Sequence, residues 1–181
     1  MVGRAVQQRL RSEGNEVVPV SRRPIPGGIE WDPASGAIDP APWAGIDAVI
    51  HLAGASIADG RWTDDRKRLL RESRVGPTRL LSELLAQLDP RPGVLISASA
   101  VGYYGNRGEQ ILTEDSPPGN DFLARLVVDW EAATEPAIDA GIRVDHLRFG
   151  VILSANGGML ERLLLPFKLG FGARLGSGEL W

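Results

Sequence analysis

With 181 residues, 43% of them hydrophobic, and a formal net charge of −3, the chain has the makings of one domain with a sizeable core. The charge balance excludes the basic excess of a nucleic-acid binder, and no apolar run approaches the roughly 20 residues that span a bilayer. The absence of cysteine removes disulfides and thiolate metal sites, and no secretory segment opens the chain, so a cytoplasmic protein is the expectation.

In chain order, residues 4–13 read as a helix with Val6 and Leu10 on one face and Gly14-Asn15 as its stop. Val17 to Val20 follows as a short β-rich run ending in Ser21-Arg22-Arg23-Pro24. Residues 24–46 hold nine Pro and Gly residues, too many for a long helix, with room for a brief strand at Ile29-Glu30-Trp31. Asp32, before Pro33, is a turn acid. Ala48 to Ala53 is nearly all apolar, as expected of a strand covered on both faces. Thr63-Asp64-Asp65 reads as a helix start, a capping residue followed by acids in the first turn. That helix is interrupted or bent near Gly76-Pro77 and carries Leu80, Leu81, Leu84, Leu85 and Leu88 at helical spacing. A strand at Val94 to Ala98, a Gly-rich loop over 99–121, a helix from about Phe122 and a strand over Ile142 to Phe149 complete the pattern.

Strands separated by helical crossovers predict a parallel sheet, an α/β doubly wound Rossmann-type fold, in a single domain over 1–181. Both ends read as cut. A strand and a glycine turn are expected before the first helix, so that phosphates meet its N-terminus. At the other end Gly176 to Trp181 is a loop-like string with no closing element.

Several motifs carry a resemblance. They are Asp47-Ala48-Val49-Ile50-His51-Leu52-Ala53-Gly54, then Ser97-Ala98-Ser99-Ala100-Val101-Gly102-Tyr103-Tyr104-Gly105, then Leu112-Thr113-Glu114-Asp115. Phe122-Leu123-Ala124 with Asp129-Trp130-Glu131, Leu147-Arg148-Phe149-Gly150-Val151 and Pro166-Phe167-Lys168-Leu169-Gly170 continue the series. Together, in this order, they resemble atypical extended short-chain dehydrogenases/reductases, the epimerase-like subfamily that carries a small extra C-terminal domain. The resemblance makes Gly3 the last glycine of a TGxxGxxG turn and implies a partial NAD(P)-binding domain, without its first strand and C-terminal substrate segment.

Ser21, Arg22 and Arg23 end the second strand, where a Rossmann domain reads the adenosine ribose. An acid there would bond the 2′-hydroxyl, whereas arginine accommodates a 2′-phosphate, so the cofactor expected is NADP(H). The alternative is a solvated charge pair. Leu52, Ala53 and Gly54 are expected to pass the cofactor at the C-terminal edge of the sheet, and Val151 belongs to the same edge by resemblance. Gly54 also fits an ordinary strand-end turn. His51 and His146 lie within strands and read as core histidines with satisfied hydrogen bonds. Trp130, at helical spacing with Leu126 and Val127, reads as packing.

The superfamily's Tyr-x-x-x-Lys pair, in which lysine activates tyrosine, is absent. The only lysines are Lys67 and Lys168, preceded four residues earlier by Thr63 and Leu164. The segment that should hold the motif is Phe122 to Leu126, apolar at both functional positions. The asparagine of the family's Asn-Val-x-Gly-Thr motif is Arg74 here, either a donor to a cofactor phosphate or a surface arginine. The catalytic candidates left are Ser99, with Ser97 possible under a one-residue shift, and Tyr103 or Tyr104 on the same wall, with loop structure alone as the alternative for Tyr103. Glu114 caps or braces the loop.

The expected function is an NADP(H)-binding oxidoreductase or epimerase-like enzyme acting on a small molecule, with no metal, nucleic-acid or membrane partner. Two alternatives stand beside it. One is a catalytically silent nucleotide-binding sensor or scaffold, the other a fragment without binding.

Overall fold

The computed structural model describes residues 1–154 and 157–172, so the string Gly176 to Trp181 lies outside it. Its elements begin where the local chemistry demands. Thr63 Oγ1 accepts the Arg66 amide at 3.3 Å ahead of Asp64 and Asp65, which starts helix α2 at Asp64–Glu72. Asp121 Oδ1 accepts the Ala124 amide at 2.8 Å and starts α4 at Phe122–Ala132. The first helix, α1, spans Val2–Ser12 and leads through Gly14, at φ 86°, into the first strand.

Strands β1 (Val20–Ser21) and β2 (Ile29–Glu30) pair in parallel. A second parallel sheet has the order β3-β4-β5, from Ala48–His51, Val94–Ala100 and Arg143–Phe149. With helices α3 (Val75–Gln87), α5 (Glu135–Asp139) and α6 (Gly158–Lys168), this is the Rossmann-type α/β architecture that the motif order implies. Asp32 does serve its turn, accepting the Ala34 amide at 3.1 Å. No described helix is long and apolar enough to cross a membrane.

The register aligns the sheet in rows. His51 pairs with Ser97, which pairs with His146, and Ser99 pairs with Arg148. Parallel neighbours share a face, so these five polar residues lie on one side of the sheet. The apolar core lies on that same side. Leu81, Leu84 and Leu85 of α3 pack there with Val49, Leu95 and Ile142. Trp31 and Trp43 meet edge to face, with centroids 6.3 Å apart, and join this core.

Four expectations need correction. Strand β1 covers only Val20 and Ser21, not Val17 to Val20. Strand β3 alternates: Val49 and His51 are buried, whereas Ala48 and Ile50 are exposed, so its second face is open rather than covered. The break before α3 falls at Ser73-Arg74, and Pro77 sits inside the first turn. Proline is tolerated there because first-turn amides have no intrahelical partner. Finally, β4 runs on to Ala100 and is followed by a 3-10 turn over Val101–Tyr104, so Ser99 belongs to a rigid strand, not a loop. Helices α5 and α6 were not read from the sequence.

Adjacent leucines on α2 test this packing. Leu70 is 0% exposed and Leu69 46%. Leu70→Ala is expected to lower the unfolding free energy by about 2–5 kcal/mol. Leu69→Ala should stay within about 0.5 kcal/mol. Urea unfolding midpoints check both, and similar losses would contradict the assigned face.

Candidate functional site

At the C-terminal end of the central sheet, an arginine stands between two apolar residues, Leu147 and Phe149, near the end of β5. A guanidinium so placed needs a partner that does not leave it desolvated and alone. Helix α4 supplies one. Glu131 falls one turn beyond buried Val127 and meets Arg148 in a two-pronged pair, Nε to Oε1 and Nη2 to Oε2, both at 2.9 Å. The two side chains are only 19% and 12% exposed.

All three catalytic candidates converge on this pair. Ser99 Oγ donates to Glu131 Oε1 at 2.5 Å. Arg148 Nη1 donates to the Tyr104 hydroxyl at 2.9 Å and to the Glu114 carbonyl at 3.1 Å. The Tyr103 ring lies over the guanidinium, 3.5 Å from its carbon to the ring centroid. Glu114 thus braces the site through its backbone.

The loop beyond is pinned to the same wall. Gly119 donates its amide to the Tyr103 carbonyl at 2.8 Å, and a Cβ at Gly119 would lie 2.8 Å from the Tyr104 carbonyl oxygen. Only glycine permits that approach. Arg107 bonds the carbonyls of Tyr104, Pro117 and Pro118, closing the loop on itself.

Charge in the cluster is settled by these contacts. Burial works to raise the Glu131 carboxyl, but the hydrogen bonds from Arg148 and Ser99 outweigh it and leave it below the ordinary value. The same bonds to Glu131 raise Arg148 further above its usual range. Both groups are charged at neutral pH. His146 lies beside them, 3.0 Å from Thr134 Oγ1, and burial lowers its pKa despite the carboxylate of Glu131.

The other histidine is enclosed. His51 Nε2 lies 3.0 Å from Thr78 Oγ1, which also accepts the Trp130 indole N–H at 3.0 Å. Burial pushes the His51 pKa down to about 4, so its imidazole is neutral at pH 7. His51 and Trp130 are bonded core residues, in line with their reading from sequence, whereas His146 is bonded but only partly buried. Ser97, 1% exposed and between the histidines, bonds only weakly to the Ala98 carbonyl at 3.4 Å.

The cofactor candidates fall into three groups. In α1, Gly3 lies against Leu52, 3.8 Å from a Cβ built on Gly3 to Leu52 Cδ1. Arg74 forms the second group with Gly54, next to exposed Ala53. Its Nη2 donates to the Ala55 carbonyl at 2.9 Å and its Nη1 to the Leu70 carbonyl at 3.1 Å, over the Trp130 ring. A Cβ at Gly54 would lie 3.2 Å from the Arg74 guanidinium carbon. Burial, then the charge of Arg66, lowers the Arg74 pKa. The third group, Ser21, Arg22 and Arg23, lines an open depression of about 390 Å³ together with Asp32. Val151 is exposed just past β5.

In the sequence Glu131 and Arg148 stand out only as members of motifs. A charged residue inside the apolar run Leu147-Arg148-Phe149 was the available signal. Neither lysine joins the cluster: Lys67 pairs with Asp64 at 3.6 Å and lies over the Phe122 ring.

Comparison with known proteins places these residues among relatives. Residues 1–134 match the model of the NAD dependent epimerase/dehydratase family. The chain is 45% identical to Epimerase family protein Mb2239 of Mycobacterium bovis over 181 residues, covering 99% of this chain and 60% of that protein. The fold matches the crystal structure of a nucleoside-diphosphate sugar epimerase from Corynebacterium glutamicum at TM-score 0.85 and 45% identity. That alignment covers 98% of this chain and 37% of the other. It also matches human epimerase family protein SDR39U1, crystallised with NADPH, at TM-score 0.86 and 36% identity, over 99% and 60% of the two chains. The chain thus spans about 60% of the length of the curated relatives it matches.

The buried pair sets two expectations. Glu131→Ala, which strands the Arg148 charge, should cost about 3 kcal/mol at pH 7. Because the folded carboxyl is held below its ordinary value of 4.5, its contribution is complete above that value and is lost as pH falls below it towards the folded value. Stability of the parent protein should therefore fall more steeply than that of Glu131→Gln across this acid range. Urea unfolding at a series of pH values measures it, and parallel curves would contradict the pairing.

Proposed function

The chain belongs to the NAD dependent epimerase/dehydratase family, and from that premise we propose that it is an NADP(H)-binding oxidoreductase or epimerase-like protein acting on a small molecule in the cytoplasm. The observation that carries the cofactor preference is the depression at the end of β1. Ser21, Arg22 and Arg23 line it together, and the cations are exposed to an incoming anion. Asp32 stands on its rim, with one carboxylate oxygen occupied by the Ala34 amide. The NADPH carried by the human relative supports the same preference.

In this reading Gly3, at the N-terminal turn of α1, receives the diphosphate, where free amides and the helix dipole favour negative charge. Leu52, Ala53 and Gly54 flank the cofactor, with Val151 just past the end of β5, whereas Ser97, buried in the middle of β4, stands behind them and does not face it. Arg74 supplies a fixed guanidinium beside Gly54, held by two carbonyls and the Trp130 ring. The nicotinamide supplies hydride chemistry when bound. Ser99, Tyr103 and Tyr104 form the catalytic wall, from which a hydroxyl is offered to a substrate oxygen.

A second reading, a nucleotide-binding sensor without turnover, is favoured by one observation. Where the superfamily carries Tyr and Lys, Phe122 stacks edge to face on Trp62 with centroids 6.0 Å apart, and Leu126 is 3% exposed. Both positions are packed, and neither moves a proton. A panel of carbonyl compounds and sugar nucleotides, offered to the full-length protein with NADPH, separates the readings. Oxidation of NADPH supports the enzyme, and binding without oxidation supports the sensor.

Titration of the full-length protein by nicotinamide fluorescence is expected to give tighter binding of NADPH than of NADH. The double variant Arg22→Ala/Arg23→Ala should lose about 10- to 100-fold in NADPH affinity, as charge-assisted bonds are removed, with little change for NADH. Since both arginines are exposed, the preference should also weaken with added salt. Equal affinity for the two cofactors would overturn the assignment.

A further inference from the structure

The three hydroxyls on the proposed catalytic wall are not equivalent. Ser99 is 3% exposed and its proton is given to Glu131. Tyr104 is 8% exposed and its hydroxyl oxygen accepts from Arg148. Tyr103 is partly exposed, its ring is held against the guanidinium, and among the described residues nothing bonds its hydroxyl. The Tyr103 and Tyr104 rings meet edge to face at 5.2 Å, so fixing Tyr104 also fixes the orientation of its neighbour.

Arg148 itself is not free to hold a ligand. A guanidinium has five N–H donors in one plane. Four of them are committed here, two to Glu131, one to Tyr104 and one to the Glu114 carbonyl. One of its faces is covered by Tyr103. The cation therefore acts on its neighbours and not on substrate.

We propose that the Glu131–Arg148 ion pair is a positioning device that locks Ser99 and Tyr104 in place and leaves Tyr103 as the hydroxyl offered to the carbonyl or hydroxyl oxygen of a substrate. The proposal rests on the reading of this wall as the catalytic side of an NADP(H) site. Within it, Ser99 and Tyr104 become supports of the pair, and Glu131 and Arg148 are positioning residues. Tyr103 alone makes contact with the ligand.

The chain has only two tyrosines, which makes the test direct. The full-length protein is treated with tetranitromethane, with and without saturating NADP⁺, and the nitrated residue is located by peptide mass. Tyr103 is expected to react at least about tenfold faster than Tyr104, because Tyr104 is buried behind it and held there by Arg148, out of reach of the reagent. NADP⁺ should slow Tyr103 and leave Tyr104 unchanged. Arg148→Lys keeps the charge but not the fork, and should raise the Tyr104 rate towards that of Tyr103 while circular dichroism reports an intact fold. If Arg148→Lys does not fold, Glu131→Gln is read in the same way, since its amide oxygen still accepts from the guanidinium while the counter-charge that closes the fork is removed.

Equal rates, or Tyr104 reacting first, in the parent protein would overturn the proposal, as would an unchanged ratio of the two rates in the folded variants. NADP⁺ that binds by calorimetry without slowing Tyr103 would overturn the offered-hydroxyl half. Absence of NADP⁺ binding would instead overturn the cofactor reading, and the order of the two tyrosines in the free protein would still decide the positioning role.

Discussion

A single charge inside an apolar strand sets the arrangement around the sheet's C-terminal edge. Arg148 cannot be enclosed near the end of β5 without a counter-charge, and α4 brings Glu131 to it. Once that pair forms, its remaining capacity has few places to go. A further lone pair on Oε1 of the carboxylate accepts from Ser99, and Nη1, the guanidinium nitrogen outside the fork, donates to the Tyr104 hydroxyl and the Glu114 carbonyl. Strand β4, strand β5, helix α4 and the loop after the 3-10 turn are thereby joined at one point. The geometry follows from satisfying a buried charge, and the chemistry of the wall inherits it.

The nucleotide end and the substrate end of the proposed site are built on opposite principles. At the β1 end, Arg22 and Arg23 are exposed and stand in solvent with a shallow depression between them. Such cations attract an anion from a distance, and salt screens them. At the β4–β5 end, charges are enclosed, paired and bonded, so their role is to hold other groups still. Arg74 is intermediate: half-buried, stacked on Trp130 and bonded to the loop after β3. It clamps the segment Gly54–Ala55 through its bond to the Ala55 carbonyl.

The polar row across the sheet shows how burial sorts similar residues into different roles. His51 and His146 occupy matching register positions beside Ser97, yet each is closed off by a threonine, Thr78 or Thr134. Two residues further along the strands, Ser99 and Arg148, themselves largely enclosed, meet Glu131 behind the partly exposed Tyr103 ring. The step from a core hydrogen bond to a candidate site is one pleat repeat along a strand.

Much of the fold was legible in the sequence because its signals are local. The cap at Thr63, the Gly14 stop, the leucine spacing of α3 and the alternation of strands and helices each depend on neighbours within a few residues. The motif order also located Ser99, Tyr103, Tyr104 and the Ser21-Arg22-Arg23 turn. What sequence could not rank was the three hydroxyls, because their partners are remote: Glu131 lies 32 residues from Ser99, and Arg148 lies 44 from Tyr104. The open face of β3 was hidden for the same reason, since an apolar run reports the composition of a strand and not what covers it. By itself, then, the sequence determined the parallel α/β order and the residue types at the sheet edge. Only the tertiary structure decided which of those side chains are bound to one another and which hydroxyl is left over, because burial and hydrogen bonding are properties of residues that the fold, not the chain, makes adjacent.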